Sequence, residues 1–311
     1  MSVPAFFVQK FLKIKDKGRY DNMKKRLFSV AAVAMALTMA LAGCSSSEEK
    51  TEEGAEQTKG GEDNVLTVAM ECGYAPYNWT QSDDSNGAVQ IKDSTDYAYG
   101  YDVMMAKKIA EDLGMELEIV KLDWDSLVPA VQSGTVDCVI AGQSITEERL
   151  QMVDFTNPYY YASIVTLTKA DSEYADAKSV ADLAGATCTS QQNTIWYNVC
   201  LPQIENANIL PAQESAPAML VALEADKCDI VVTDQPTGLA ATVAYPDFKL
   251  IDFSGTDGEF QVSDEEINIG ISVQKGNTEL VEKINTVLDT MTPEDYVEMM
   301  NEAISVQPLS E

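Results

Sequence analysis

Beyond residue 43 the chain contains one arginine, Arg149, and its 311 residues include no histidine. Arg149 closes the segment Ala141-Gly142-Gln143-Ser144-Ile145-Thr146-Glu147-Glu148-Arg149, which follows an apolar run. A guanidinium offers a flat, permanently charged fork to a carboxylate, so the segment can clamp a small carboxylic acid. It can also be a helix start whose arginine pairs with Glu147 or Glu148. On this segment alone both readings stand.

The charge balance narrows the partners. Residues 1–43 carry 8 Lys/Arg and 2 Asp/Glu, and the remaining 268 residues carry 13 basic and 48 acidic side chains, a net charge of −35. Such a charge disfavours nucleic acid and anionic lipid surfaces. Five cysteines follow Cys44 (Cys72, Cys138, Cys188, Cys200 and Cys228), an odd number in no zinc-site spacing. They read as buried thiols, with one disulfide open and its pair unassigned. No metal and no cofactor is expected.

Residues 1–43 read as an export signal. Met23-Lys24-Lys25-Arg26 is a basic n-region, and Leu27 to Ala40 is an apolar run too short to span a bilayer comfortably. Leu41-Ala42-Gly43-Cys44 resembles the lipobox of bacterial lipoproteins, in which the cysteine is diacylated and becomes the new N-terminus. Residues 1–22 precede a complete signal, so either translation starts at Met23 or the n-region is unusually long. Ser45 to Asn64, polar and without apolar periodicity, reads as a disordered tether with an end-to-end distance of roughly 25 Å.

The elements that must position Arg149 follow from periodicity. Val65–Met70 reads as a strand, Tyr101–Leu113 as a helix capped by Gly114, and Glu116–Lys121 as a strand. This βαβ alternation implies a mostly parallel sheet. Two segments then resemble one another, Val128–Gln143 and Leu220–Gln235, each reading as helix, Asp-containing turn, apolar strand and polar strand end. Ala130/Ala222, Asp137/Asp229, Val139/Val231 and Gln143/Gln235 are identical. Two such units suggest two similar lobes, with ligand bound outside the carboxyl ends of the strands. Those ends carry Ala141, Gly142 and Ser144 in one unit and Asp234 in the other.

Four motifs, in this order and spacing, carry a family resemblance: Glu71-Cys72-Gly73-Tyr74-Ala75-Pro76-Tyr77, Gly100-Tyr101-Asp102-Val103, Gly142–Arg149 with Asp154-Phe155-Thr156-Asn157-Pro158-Tyr159-Tyr160, and Val232-Thr233-Asp234. From Asn64 to about Pro308 the chain resembles bacterial extracellular solute-binding proteins of family 3, the polar amino-acid receptors of ABC importers. The resemblance implies an α/β, two-lobed type II periplasmic-binding fold with a two-strand hinge. Lobe 1 is expected at residues 64–161 plus 267–311, and lobe 2 at 162–266. It implies a monomeric, membrane-tethered, extracytoplasmic receptor that closes over a free amino acid and docks on a membrane permease.

The resemblance places Arg149 on the ligand carboxylate, helped by Ser144 and by backbone N–H groups near Asn193 and Thr194. It places Asp234 and the carbonyl of Gly142 on the ammonium, and Tyr74 and Trp124 beside the aliphatic stem. Plainer roles are available to several of these. Trp124 can cap a helix start beside Asp125, Asp234 can cap the turn that follows it, and Ser144 can be the N-cap of the Thr146-Glu147-Glu148 turn. Tyr77 stays unassigned between core and site.

Three departures from the family pattern stand out. Glu71 occupies a position where Asp is frequent, and Ser190-Gln191-Gln192-Asn193-Thr194 replaces a Gly-Thr-rich turn. Gln81 to Ala98, with Asp83, Asp84, Asp93 and Asp96, reads as a long solvated loop. With Asp234 on the ammonium, Glu71 is left for the ligand side chain, which favours a basic or amide amino acid unless a protein lysine such as Lys92 pairs it. Two rival functions are an exported dehydratase of the cyclohexadienyl or arogenate type, with Glu71 as its catalyst, and a sensory ligand-binding domain.

Overall fold

The structure, a computed structural model, describes residues 64–263 and 266–308. The basic n-region, the apolar run, Cys44 and nearly all of the tether lie outside the described residues. In chain order the strands are β1 (Val65–Met70), β2 (Gly73–Tyr74), β3 (Asn78–Gln81), β4 (Val89–Gln90), β5 (Tyr97–Tyr99), β6 (Glu116–Lys121), β7 (Cys138–Val139), β8 (Val153–Phe155), β9 (Tyr160–Tyr161), β10 (Ile164–Lys169), β11 (Thr187–Thr189), β12 (Asn208–Ile209), β13 (Ile230–Asp234), β14 (Phe248–Asp252), β15 (Asn268–Ile269) and β16 (Ser272–Gln274). The α-helices are α1 (Tyr101–Leu113), α2 (Trp124–Ser133), α3 (Glu147–Met152), α4 (Ala216–Glu224), α5 (Gln235–Ala244), α6 (Thr278–Leu288) and α7 (Pro293–Val306).

Two five-stranded sheets organise the fold, in the orders β6-β1-β7-β16-β8 and β12-β11-β13-β10-β14. In each sheet a single strand, β16 or β10, runs against the rest. The sheets are therefore mostly parallel, and strands covered on both faces need long apolar runs. Ile164–Thr168 and Ile230–Asp234 are buried throughout. The chain passes from the first sheet to the second through β9 and returns through β15, and these two strands pair antiparallel as a separate two-stranded sheet.

The internal repeat has a structural counterpart. β7 and β13 hold the same third place in their sheets, next to the reversed strand, and follow α2 and α4 respectively. The shared aspartates do the same work. Asp137 Oδ2 accepts the N–H of Thr67 at 2.9 Å and its hydroxyl at 2.6 Å. Asp229 Oδ2 accepts the N–H of Thr187 at 2.8 Å. Each carboxylate ties the turn before its strand to the neighbouring parallel strand.

The expected helix at Tyr101–Leu113 has the expected ends, with Gly114 in the left-handed conformation closing it. The Gln81–Ala98 stretch departs from the sequence reading. β4 and β5 lie within it or at its end and complete a four-stranded sheet with β2 and β3. Tyr97-Ala98-Tyr99 alternates as a strand should, and Trp79 meets Tyr99 edge-on at 5.4 Å, which gives that sheet an apolar face. Cys72, Cys138, Cys188, Cys200 and Cys228 are buried free thiols.

Gly100, before α1, has φ +126°, and a Cβ there would lie 2.4 Å from the carbonyl oxygen of Tyr77. Gly100→Ala is expected to lower unfolding stability by about 2 kcal/mol or more, from a disfavoured backbone region and a backbone clash. Urea denaturation measures it, and an unchanged midpoint would contradict the packing described.

Candidate functional site

Three carboxyls and one guanidinium converge where the two lobes meet. Asp234 ends β13 and caps α5, its Oδ1 accepting the N–H of Thr237 at 2.9 Å. Its Oδ2 accepts the phenol of Tyr74, which reaches across from β2. Asp234 is 1% exposed, and burial pushes its pKa up to about 6 against the opposing pull of the Tyr74 and Thr237 hydrogen bonds. The capping role and the contact with Tyr74, a residue of the cleft wall, therefore belong to one side chain.

Tyr74 is placed by stacking on Tyr77, with ring centroids 4.8 Å apart, and by close approach to Gly142. A Cβ on Gly142 would sit 2.7 Å from the Tyr74 ring, and Gly142 has φ +62°. Both facts call for glycine at this position. Tyr77 also meets Tyr101 and Tyr160 edge-on and is fully buried, so it is a core aromatic behind the site.

Arg149 lies in the short helix α3, whose N-cap is Thr146, not Ser144. Ser144 contributes its backbone carbonyl instead, accepting from Arg149 Nη1 at 2.8 Å. Arg149 Nη2 donates to the carbonyl of Asn193 in lobe 2 at 2.8 Å, and the guanidinium lies over Trp124, 5.4 Å from the ring centroid. The pairing with Glu147 or Glu148 allowed by the sequence is not among the guanidinium's hydrogen bonds. Desolvation lowers the Arg149 pKa to about 10, which leaves it charged at neutral pH. Trp124 opens α2 after the N-cap Asp123 and is buried beneath the cation.

The lobe 2 wall comes from the turn after β11. Asn193 has φ +55°, the left-handed conformation a Gly-rich turn would supply and that Asn tolerates. Thr194 donates its hydroxyl to the carbonyl of Gln191 at 2.7 Å, closing the turn. Asp125 of α2 grips this turn from lobe 1, taking Gln192 Nε2 and Asn193 Nδ2 at 2.7 Å each. The cleft is drawn shut: Tyr74, Trp124, Gly142, Ser144, Arg149, Gln191, Thr194 and Trp196 enclose about 10 Å³, roughly the room of one water. Entry of a larger molecule requires the lobes to part. Ala141 is buried at the strand end.

Glu71, just past β1, is buried, and its Oε2 has no hydrogen-bond partner among the described residues. Burial pushes its pKa up to about 7; Gln191 and Lys121 pull it down, and Asp123 and Asp125 push it further up. Lys92 does not neutralise it, because Lys92 binds Glu118 at 2.7 Å. Gln191, on the facing wall, lies close enough to pull on the Glu71 carboxyl, although its Nε2 makes no hydrogen bond of full geometry. The sequence reading missed Gln191, Asp125 and Trp196 as cleft residues. Trp196 carried one usable signal, a large aromatic two residues beyond Thr194, but it lies in a π-helical turn (196–200) that no simple periodicity announces. Among the described residues no cluster of His, Cys, Asp or Glu is placed to hold a metal ion.

Residues 66–303 match the family of bacterial extracellular solute-binding proteins, family 3. The chain belongs to this family. The arginine-binding extracellular protein ArtP of Bacillus subtilis is 32% identical over 173 residues, 56% of this chain and 58% of that protein. The L-arginine-binding protein of Pseudomonas aeruginosa is 25% identical over 236 residues, 74% of this chain and 83% of that protein. Among solved structures, an amino-acid ABC transporter substrate-binding protein from Streptococcus pneumoniae bound to L-arginine superposes with TM-score 0.66 at 27% identity, covering 78% of this chain and 94% of that one. The ancestral amino-acid-binding protein AncCDT-1, described as a precursor of cyclohexadienyl dehydratase, gives TM-score 0.61 at 28% identity, covering 77% and 94%. The fold of this family 3 protein is the two-lobed type II periplasmic-binding fold.

Asp125 supplies two lobe-to-lobe hydrogen bonds at the cleft rim. Asp125→Ala is expected to shift the family 3 domain toward an open form, with a larger radius of gyration in small-angle scattering. The shift corresponds to about 1–3 kcal/mol lost from closure. A scattering curve indistinguishable from wild type would show that the rim contacts do not hold the lobes together.

Proposed function

We propose that this chain is the extracytoplasmic substrate-binding lipoprotein of an ABC importer, capturing a free polar amino acid, basic or amide in its side chain, between its lobes. One observation carries the reading. A permanent cation, Arg149, lines the closed cleft, and two buried carboxylates stand directly behind its wall, Asp234 under the Tyr74 hydroxyl and Glu71 near Gln191. A zwitterion leaving water needs a charged or multiply hydrogen-bonding partner at both ends. Arg149 takes the carboxylate together with the turn at Asn193 and Thr194. Asp234 takes the ammonium with the carbonyl of Gly142, in place of the Tyr74 phenol. Both lobes then hold one ligand, which favours closure by hinge motion through β9 and β15.

Glu71 selects the side chain. A buried carboxylate with one unsatisfied oxygen gains most from a cation and next most from an amide donor, with Gln191 beside it as a further polar contact. The arginine-, histidine- and cystine-binding names of relatives support the amino-acid class. The working division is lobe 1 at 64–161 with 267–311, and lobe 2 at 162–266. Cys44 is the lipidation site and holds the monomeric domain at the outer membrane face by its tether, within reach of a permease.

A dehydratase is the second reading. It is favoured by the Glu71 pKa near 7, suited to proton transfer, and by the AncCDT-1 likeness. Release of phenylpyruvate or phenylalanine on incubation with prephenate or arogenate would establish it and displace the receptor reading.

Arg149→Ala is expected to weaken amino-acid binding by roughly a hundredfold or more with the fold intact, since it strips a desolvated carboxylate of its partner. Calorimetry with each free amino acid checks this, and affinity retained within a few-fold would reject the site. The pH profile separates the ligand classes. A raised carboxyl pKa means that a cation-binding group must lose its proton on binding, so affinity is present above that pKa and lost as pH falls through it. L-Arginine binding is expected to weaken as pH falls through about 7 for Glu71 and again through about 6 for Asp234. L-Glutamine, which a protonated Glu71 still accommodates, is expected to weaken only through the lower step.

A further inference from the structure

Asp102 is a fully buried carboxylate that faces neither the cleft nor a cation, yet both its oxygens are engaged. It occupies the second position of α1, where the helix N-terminus favours negative charge. Its Oδ2 accepts Asn78 Nδ2 at 2.7 Å, and Asn78 Oδ1 in turn accepts the N–H of Cys72 at 2.7 Å. Its Oδ1 accepts the hydroxyl of Tyr159 at 2.6 Å, and the Tyr159 oxygen accepts the N–H of Gly142 at 3.1 Å.

The two arms end on two positive-φ turns of the cleft, at Cys72 and at Gly142. Cys72 has φ +52°, an unusual backbone for a residue with a side chain, and links Glu71 to Gly73-Tyr74. Gly142 has φ +62° and supports the Tyr74 ring. Each turn donates its N–H to an arm that leads back to the same carboxylate. Left alone, the Cys72 turn could relax toward commoner backbone angles and the Gly142 turn could use a glycine's wide freedom, carrying Glu71, Tyr74 or the Gly142 carbonyl away from a ligand.

We propose that Asp102 is the positioning residue of the ligand site, fixing the Glu71–Tyr74 turn through Asn78 and the Gly142 turn through Tyr159 without touching the ligand. The proposal rests on the reading that this cleft takes a free amino acid, and it predicts a polarity rule. Asp102→Asn keeps an acceptor for Tyr159 but sets an amide NH₂ against the NH₂ of Asn78. If Asn78 turns to meet it, the Cys72 N–H is orphaned. The swap Asn78→Asp with Asp102→Asn restores every donor to an acceptor. Tyr159→Phe cuts the Gly142 arm alone.

The test combines amide hydrogen exchange with calorimetry on the full mature domain, using L-arginine and L-glutamine as probes well below the melting temperature. Val232 in lobe 2 reports global opening. Asp102→Asn is expected to speed exchange at Cys72 by about tenfold relative to Val232 and to raise the Kd about tenfold, the scale of one buried charged hydrogen bond. The swap is expected to bring both back to within about threefold of wild type. Tyr159→Phe is expected to speed exchange at Gly142 and leave Cys72 unchanged. A role limited to stability would move Val232 as much as Cys72 and leave the Kd of the folded protein alone. Either that pattern, or a swap that recovers melting but not affinity, overturns the proposal. If Asp102→Asn does not fold, the swap and Tyr159→Phe decide it by the same readings. If wild type binds neither probe, the ligand reading fails and the exchange data still decide whether Asp102 anchors the turns.

Discussion

The structure turns on a carboxylate that has been taken out of water without a cation to meet it. Asp234 is sustained by a helix N-terminus and a tyrosine hydroxyl, a set of partners that tolerates negative charge and leaves it largely uncompensated. Asp102 is in the same condition one layer behind, and Glu71 in a poorer one, with an oxygen that nothing satisfies. In all three, burial is the leading cause of the raised pKa. A protein that keeps three such groups together stores an attraction for positive charge, and the cleft is where two of them can express it.

Closure is the counterweight. Tyr74 gives Asp234 a neutral donor and Arg149 gives its charge to two backbone carbonyls, so the two groups proposed for the ligand's charged ends already have partners inside the protein. At those two ends the proposed ligand replaces existing contacts, and only at Glu71 does it meet an oxygen left unsatisfied. Such an arrangement favours discrimination over raw strength. On the proposed placement, a molecule lacking the ammonium does not displace the phenol from Asp234, and one lacking the carboxylate does not draw Arg149 from the carbonyls. The same exchange makes lobe separation an early step of binding, since the closed cleft has room for about one water.

Much of this was legible in the residues. The repeated helix-turn-strand units at Val128–Gln143 and Leu220–Gln235 correspond to the same position in two sheets of matching order, and their shared aspartates make matching bonds. This is legible because sheet topology constrains the turn that precedes a central strand. Tyr101–Leu113 and its Gly114 cap followed from periodicity and φ freedom. What failed was pairing at a distance. Lys92 and Glu71 looked compatible in charge, yet Lys92 lies against β6 and is taken by Glu118. Ser144 and Thr146 are equivalent as N-caps by type, and the cap falls to Thr146 because its hydroxyl accepts the Arg149 N–H at 3.2 Å while Ser144 is held in a β-bridge to Ile269. Asp102 sat in a quoted motif but gave no hint of its work, because its partners lie 24 and 57 positions away.

The arrangement also suits the proposed zwitterion clamp to different side chains. The groups proposed for the ligand's two common ends, Arg149 and Asp234, are fixed by secondary structure: a helix turn and a strand end that doubles as a cap. The groups proposed for its variable end, Glu71 and Gln191, sit on a turn past β1 and on the turn after β11, where replacement costs little of the fold. Relatives named for arginine, histidine and cystine binding fit such a division. The scaffold must still hold the variable end still while its side chains change. A buried network reaching the Glu71 turn only through the backbone N–H of Cys72 meets that requirement, because a backbone anchor is indifferent to which side chain the turn presents.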